Sequence, residues 1–309
     1  MPIYNFTRLP RLYEFTISLK KGIIYFYIKF LSYMRPEFAP RRIREQTNFS
    51  GEGFTLHAIP IELPQRQSAV RTQMNEPWNL ENYQIPREPL VVGDIQDKEA
   101  FAQPCLSVVT MPIRLPGSDA FRIPIEFDHL REVLQMSIDY EAAINPKQGD
   151  YYAYLTVDQK PINAGSSQRA AGLHIDGQQL AYYPNPFPPE QEYVVSNAAP
   201  TTFYPGQTID FSDIDPTARD ARDKFNTAIR TQTDRSSGIV GVPFRVYLFD
   251  SYIVHESTPV QEDTERTFVK INFSPRQLNT VGNNGSPTRN PVLEYDWEAP
   301  SAHEGARRE

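Results

Sequence analysis

The chain has 309 residues, 39% of them hydrophobic and 12% aromatic, with 28 prolines against 15 glycines and a formal net charge of -7. That length supports one large core with elaborations, and the proline and aromatic content favours strands joined by rigid loops over a helical bundle. The single cysteine, Cys105, excludes an internal disulfide and a thiolate zinc cluster and fits a reducing cytosol.

Residues 1–45 carry a balance of +6, which leaves -13 on the remainder. The acidic body argues against a nucleic-acid partner gripped by a broad phosphate-neutralising surface. Within the basic part, "GIIYFYIKFLSYM" (22–34) is interrupted by Lys29. It falls short of the roughly 20 apolar residues that a membrane-spanning helix needs. It reads as a packed strand or helix, with an interfacial or partner-binding segment as the other reading. Residues 35–50 and 60–90 are rich in Pro, Arg, Gln, Asn and Glu and read as extended connections. Residues 1–100 are therefore expected to wrap a core that spans 101–280, with 281–309 as a tail.

Strands are predicted at "FTLHAI" (54–59), "LSVVTMPI" (106–113), "FRIPIEF" (121–127), "YYAYLTV" (151–157), "EYVVS" (192–196), "FRVYLFD" (244–250) and "RTFVKINFS" (266–274). One helix is predicted after Asp128 as N-cap, with Leu130, Val133, Leu134, Ile138 and Ala142 on one apolar stripe. A second is predicted from Asp215-Pro216, N-cap then N1 proline, to about Thr231. Many strands with few helices imply a mainly β fold, a sandwich or jelly roll with supporting helices and an N-terminal extension.

The stretch "GLHIDG" places His174 and Asp176 two residues apart. On extended backbone such residues share a face, so an imidazole and a carboxylate aim at one point. A third ligand has to come from elsewhere, and four histidines remain. His303 lies in a charged tail, His129 at a predicted helix start and His57 in an early strand among apolar neighbours. His255 follows the apolar run "FRVYLFDSYIV" and precedes a polar turn that leads into the next strand.

Together, "GLHIDG" and "VHESTPVQEDTERTFVKINFS" resemble the iron(II)/2-oxoglutarate-dependent dioxygenase superfamily. Its pattern is H-x-D, a distant His, and an Arg or Lys about ten residues further on. The resemblance covers residues 150–275 and maps the pattern onto His174, Asp176, His255 and Arg266. It implies a double-stranded β-helix core, Fe(II) held by His174, Asp176 and His255, and 2-oxoglutarate and O2 as co-substrates. Two imidazoles and one carboxylate on one face of a metal leave the opposite positions open, the arrangement of non-haem Fe(II) oxygenases. Arg266 would take the remote carboxylate of 2-oxoglutarate, because a guanidinium presents a planar, permanently charged fork.

Two departures from the family pattern follow. Relatives often carry a small hydroxyl residue two positions after the Arg, where this chain has Phe268, so the carboxylate clamp needs another partner. Lys270, on the same strand face as Arg266 by parity, is the competing anchor. A tyrosine on the strand before H-x-D often contacts 2-oxoglutarate in relatives, and Tyr154 is the choice here, with Tyr152 on its face and Tyr151 on the other. Halogenating relatives replace the aspartate, so Asp176 points to hydroxylation or another C–H oxidation.

The insert 177–245 contains "YYPNPFPPEQE", whose Tyr182, Tyr183, Asn185 and Phe187 either line a substrate pocket or seal the loop against the barrel. Arg169 would meet an anionic group of the substrate or, by default, a surface carboxylate. The substrate would be a small molecule or a peptidyl side chain. Two other readings stay open: a noncatalytic jelly-roll binding or structural protein, and an enzyme with the same three ligands whose substrate chelates iron without 2-oxoglutarate.

Overall fold

The computed structural model describes residues 49–63, 76–169, 172–176, 187–278 and 287–295, together with the backbone of 14–20 and 23–29. The chain divides into two compact units, Met1–Asn48 and Phe49–Glu309. In the first, β1 (Glu14–Lys20) and β2 (Ile23–Lys29) form an antiparallel hairpin in register from Glu14 opposite Lys29 to Lys20 opposite Ile23. The apolar run of 22–34 is thus a strand over Ile23–Lys29. No helix among the described residues is long and apolar enough to cross a membrane.

The second unit is a jelly roll built from two facing sheets. Its larger sheet has six antiparallel strands in the order β4-β11-β8-β13-β7-β5. These are β4 (Leu90–Asp94), β5 (Val108–Arg114), β7 (Tyr152–Ile162), β8 (Gln191–Ser196), β11 (Arg245–Asp250) and β13 (Thr264–Ser274). The smaller sheet orders β10 (Ile239–Val240), β9 (Thr202–Phe203) and β12 (His255–Glu256), and a bridge between His174 and His255 adds residues 172–176 to its edge. Strands β3 (Gly53–Leu56) and β6 (Phe121–Pro124) pair separately.

Alternation sorts the large sheet. Tyr193 and Val195 of β8, Leu248 of β11, Val269, Ile271 and Phe273 of β13 and Leu155 and Val157 of β7 join one buried cluster. That face is covered by helix α1 (Arg131–Ile144) through Val133, Leu134 and Ile138. Removing this apolar area from water is the main favourable term for the sheet. On the opposite face, Val194, Phe249 and Phe268 pack against Phe203 of β9, which fastens the two sheets together. Helix α2 (Ala221–Gln232) seals the far side of the small sheet, where Phe225 and Ile229 meet Tyr83, Tyr204 and Phe211.

Both helix starts differ from the sequence expectation. Residues Ile125–Leu130 form a 3-10 turn before α1, and Asp128 takes the Arg131 side chain instead of capping a backbone N–H. Ala142 is only half-buried, and Ile144 ends the apolar stripe. Asp215 accepts the N–H of Thr217 at 2.8 Å in a local turn, so α2 begins later, at Ala221. An aspartate followed by proline favours both structures, and here the turn is the one formed.

Candidate metal centre

Local backbone geometry delivers the two histidines. Gly172 has φ of +95°, in the left-handed region that glycine enters without steric cost, and turns the chain into the bridge. His174 then donates its N–H to the carbonyl of His255 at 2.9 Å, and His255 returns the bond at 3.0 Å. A directly opposed pair on one face of a ladder brings its side chains together. The ring centroids lie 4.4 Å apart.

Each imidazole is oriented through its Nδ1. That of His174 lies 2.8 Å from the carbonyl of Gly172, and that of His255 lies 3.0 Å from the carbonyl of Ile253. A carbonyl can only accept, so both Nδ1 atoms carry the proton and both Nε2 lone pairs are available for a cation. Asp176 Oδ1 stands 3.9 Å from His174 Nε2, and Asp176 Oδ2 stands 3.9 Å from His255 Nε2. One ligand atom from each of the three residues lies within 4.8 Å of the others. The sequence expectation that these three converge therefore describes the folded chain.

Lys270 completes the charge pattern. Its Nζ lies 3.1 Å from Asp176 Oδ2 and 3.0 Å from Glu192 Oε2. Burial alone would raise the Asp176 carboxyl, but Lys270, His255 and His174 outweigh it and hold it well below the usual carboxylate range. Glu192 moves the other way, raised by burial and by Asp176 against the pull of Lys270. Burial and the neighbouring His174 lower the His255 imidazole to about 4, which keeps it neutral and able to coordinate.

Arg266 enters the same cleft, which also receives Arg169, Phe249 and Glu256. It is only 3% exposed, and burial lowers its guanidinium to about 10. Its Nε donates to the Ala198 carbonyl at 2.8 Å, and a second nitrogen donates to the Gln168 side-chain oxygen. Gln168 in turn donates to the carbonyls of Asp158 at 2.8 Å and Arg266 at 3.2 Å, which pins that side chain between β7 and β13. No carboxylate among the described residues lies within ion-pair distance of Arg266. Asp158, whose field reaches it, pairs with Lys160 at 3.2 Å.

Tyr154 sits elsewhere. It pairs with Asn272, one rung past Lys270 on the same face, and is not among the residues lining the cleft. Its hydroxyl is engaged by the Leu278 N–H at 2.8 Å, the Arg276 carbonyl at 3.2 Å and the Tyr295 hydroxyl at 3.1 Å. Tyr152 stacks on it, while Tyr151 is buried in the α1-side core, as parity required. Tyr182, Tyr183, Asn185 and His303 lie outside the described residues, and Phe187 is exposed and away from the cleft lining. His57 faces Asp119 at the surface, at 3.8 Å, and His129 lies in the 3-10 turn before α1. Sequence reading missed Glu192. Its signal was an acidic residue two places before Val194, on the face of β8 turned to the cleft.

No protein-family model matches the sequence, and no curated protein matches it. Among solved structures the chain is similar to EvdO2 from Micromonospora carbonacea var. aurantiaca, complexed with 2-oxoglutarate. The TM-score is 0.37 at 14% identity, over 77% of this chain and 100% of that one. It is also similar to EctD from S. alaskensis in its apoform, with a TM-score of 0.36 at 13% identity over 79% and 97% of the two chains. A third is SnoK, a non-heme alpha ketoglutarate dependent carbocyclase from nogalamycin biosynthesis, with a TM-score of 0.31 at 12% identity over 82% and 94%. Likenesses this distant leave function to be read from the chain's own residues.

Proposed function

We propose that this chain is an Fe(II)- and 2-oxoglutarate-dependent oxygenase that hydroxylates, or otherwise oxidises a C–H bond of, an organic substrate. The observation that carries the reading is the convergence of two Nε2 lone pairs and one carboxylate within 4.8 Å, at a cleft that also holds a buried arginine with no acidic partner among the described residues. His174, Asp176 and His255 would hold the metal, and their donor types suit a non-haem iron with open positions. When bound, Fe(II) supplies the redox chemistry that couples decarboxylation of 2-oxoglutarate to succinate and carbon dioxide with substrate oxidation.

The other residues have distinct tasks. Arg266 receives the distal carboxylate of 2-oxoglutarate, because its guanidinium is buried, permanently charged and clear of every acid among the described residues. Lys270 is the weaker candidate for that role, since Asp176 and Glu192 already occupy its ammonium. It holds the Asp176 carboxylate toward the histidines instead. The aspartate at the third ligand position supports hydroxylation over halogenation.

The test is stoichiometric. The purified chain is expected to take up one Fe(II), to form succinate from 2-oxoglutarate, and to lose both properties in His174→Ala. Arg266→Ala is expected to keep the iron and to raise the 2-oxoglutarate concentration for half-maximal turnover by tenfold or more. Retention of full iron binding by His174→Ala sinks the proposal. Iron uptake with no succinate under any substrate screen leaves a metal protein of another kind.

A further inference from the structure

The charges of the cleft do not cancel locally. On the acidic side, Asp176 and Glu192 share Lys270, and Glu256 faces Arg235 at 3.4 Å while taking the Tyr204 hydroxyl. On the basic side, Arg169 and Arg266 have no carboxylate within ion-pair distance among the described residues. Arg169 follows Gln168, the residue that fastens Arg266, so one short segment positions both guanidiniums. Each guanidinium carbon lies 5.1 Å from the centroid of the same ring, Phe268.

Two cations beside one phenyl ring gain from its electron-rich face but repel each other, and a partly dry site strengthens the repulsion. A surface arginine ordinarily relieves this by finding an acid, and the chain as a whole has acids to spare. Leaving a second guanidinium without one beside a buried, equally unpaired arginine makes the cleft a receptor for oxyanions.

We infer that Arg169 is an anion-binding residue of this cleft, set with Arg266 beside Phe268, and that it takes a carboxylate or similar oxyanion from a bound ligand. Two sources supply that chemistry. One is the distal carboxylate of 2-oxoglutarate, in which case Arg169 completes the clamp beside Phe268. The other is an acidic group on the substrate, which would make the substrate an anion. The first source rests on the function proposed above, and the second does not require it.

The experiment uses the full chain loaded with Mn(II) in place of Fe(II), so that nothing turns over, and reads equilibrium binding by calorimetry. Wild type, Arg169→Gln, Arg169→Lys and Arg266→Gln are titrated with 2-oxoglutarate, with 2-oxobutyrate, which lacks the distal carboxylate, and with inorganic phosphate while 2-oxoglutarate is bound. If the clamp is shared, Arg169→Gln weakens 2-oxoglutarate tenfold or more, leaves 2-oxobutyrate unchanged, and Arg169→Lys recovers part of the loss. If the anion belongs to the substrate, Arg169→Gln leaves 2-oxoglutarate within twofold and removes phosphate binding. The inference is overturned if Arg169→Gln shifts neither titration by more than twofold while its thermal unfolding matches wild type. Should Arg266→Gln leave 2-oxoglutarate untouched, or Mn(II) fail to bind, the proposed function falls. Phosphate titration of the metal-free chain then still decides Arg169.

Discussion

Strand β8 carries buried carboxylate chemistry on both of its faces, and the two sides are finished differently. Toward α1 lies Glu141, fully buried, which accepts the Asn145 amide at 2.7 Å and the Tyr193 hydroxyl at 2.8 Å. The terminal amide of Gln191 lies against the same two carboxylate oxygens, at 2.6 and 2.7 Å. Every one of these partners is neutral, and both oxygens of the acid are engaged by the protein itself. Toward the cleft lies Glu192, only 2% exposed, whose partner Lys270 also grips Asp176, and Asp176 faces two imidazoles with free Nε2 atoms. Both glutamates are held above the usual carboxylate range by burial, so depth and pKa alone do not separate a structural acid from one beside a site. What separates them is saturation: the first network closes on itself, and the second ends on atoms that still have something to bind.

The sharpest way to break that contrast is to remove the cation on the open side. Lys270→Met leaves the buried Glu192 facing Asp176, whose side chain is partly exposed, and removing one partner of such a pair costs about 3 kcal/mol, the low end for buried ion pairs. Urea unfolding at pH 7 is expected to show that loss. Added Mn(II) should restore more stability to the variant than to wild type, because the metal supplies the missing positive charge. A loss below about 1 kcal/mol would mean the cluster is effectively solvated and the contrast with Glu141 is unfounded.

The closed side gives the next effect, through pH. Burial outweighs the Asn145 and Tyr193 hydrogen bonds and the attraction of Arg114, and raises the Glu141 carboxyl to about 7. An unfolded glutamate titrates near 4.3. The folded state therefore binds the extra proton between those values. This contribution is fully present below about pH 4.3 and is lost as pH rises through about 7, a decline of about 4 kcal/mol. Glu141→Gln keeps the shape and cannot ionise. The stability of the variant relative to wild type is expected to rise by that amount across the interval, and a flat difference would show that neutral donors stabilise the anion as well as water does.

This division explains which parts of the molecule were legible in the sequence. Alternation identified β5, β7, β8, β11 and β13, because one face of each must be apolar to meet α1, and a one-residue slip would turn that face to the cleft. The H-x-D spacing and the later His255 were readable because extended backbone fixes where residues two apart point. Parity also placed Lys270 beside Arg266 on the cleft face. The short strands β9, β10 and β12 carry too few residues to show a period, and their pairing is set by tertiary packing around Phe203. Tyr154 failed to reach the cleft lining for a reason no local pattern contains: Leu278, Arg276 and Tyr295, more than a hundred residues later, occupy its hydroxyl. Glu192 went unread because a strand glutamate looks like a solvated edge until its neighbours are known.

The smallest effect tests the edge of the open side, where Tyr204, buried against α2, reaches a carboxylate of the cleft lining. Tyr204 gives its hydroxyl to Glu256, the residue after His255, and burial with that acceptor pushes the phenol up to about 12. In Tyr204→Phe the Glu256 carboxylate keeps Arg235, at 3.4 Å, as a partner, so the loss is that of one ordinary hydrogen bond, about 1 kcal/mol. Mn(II) affinity is expected to stay within twofold of wild type, because His255 is oriented by its Nδ1 contact to Ile253 and its bridge to His174 and not by Glu256. A tenfold fall in metal affinity at unchanged fold would place Glu256 and Tyr204 among the groups that aim the ligand, and would extend the open network one residue beyond the cleft.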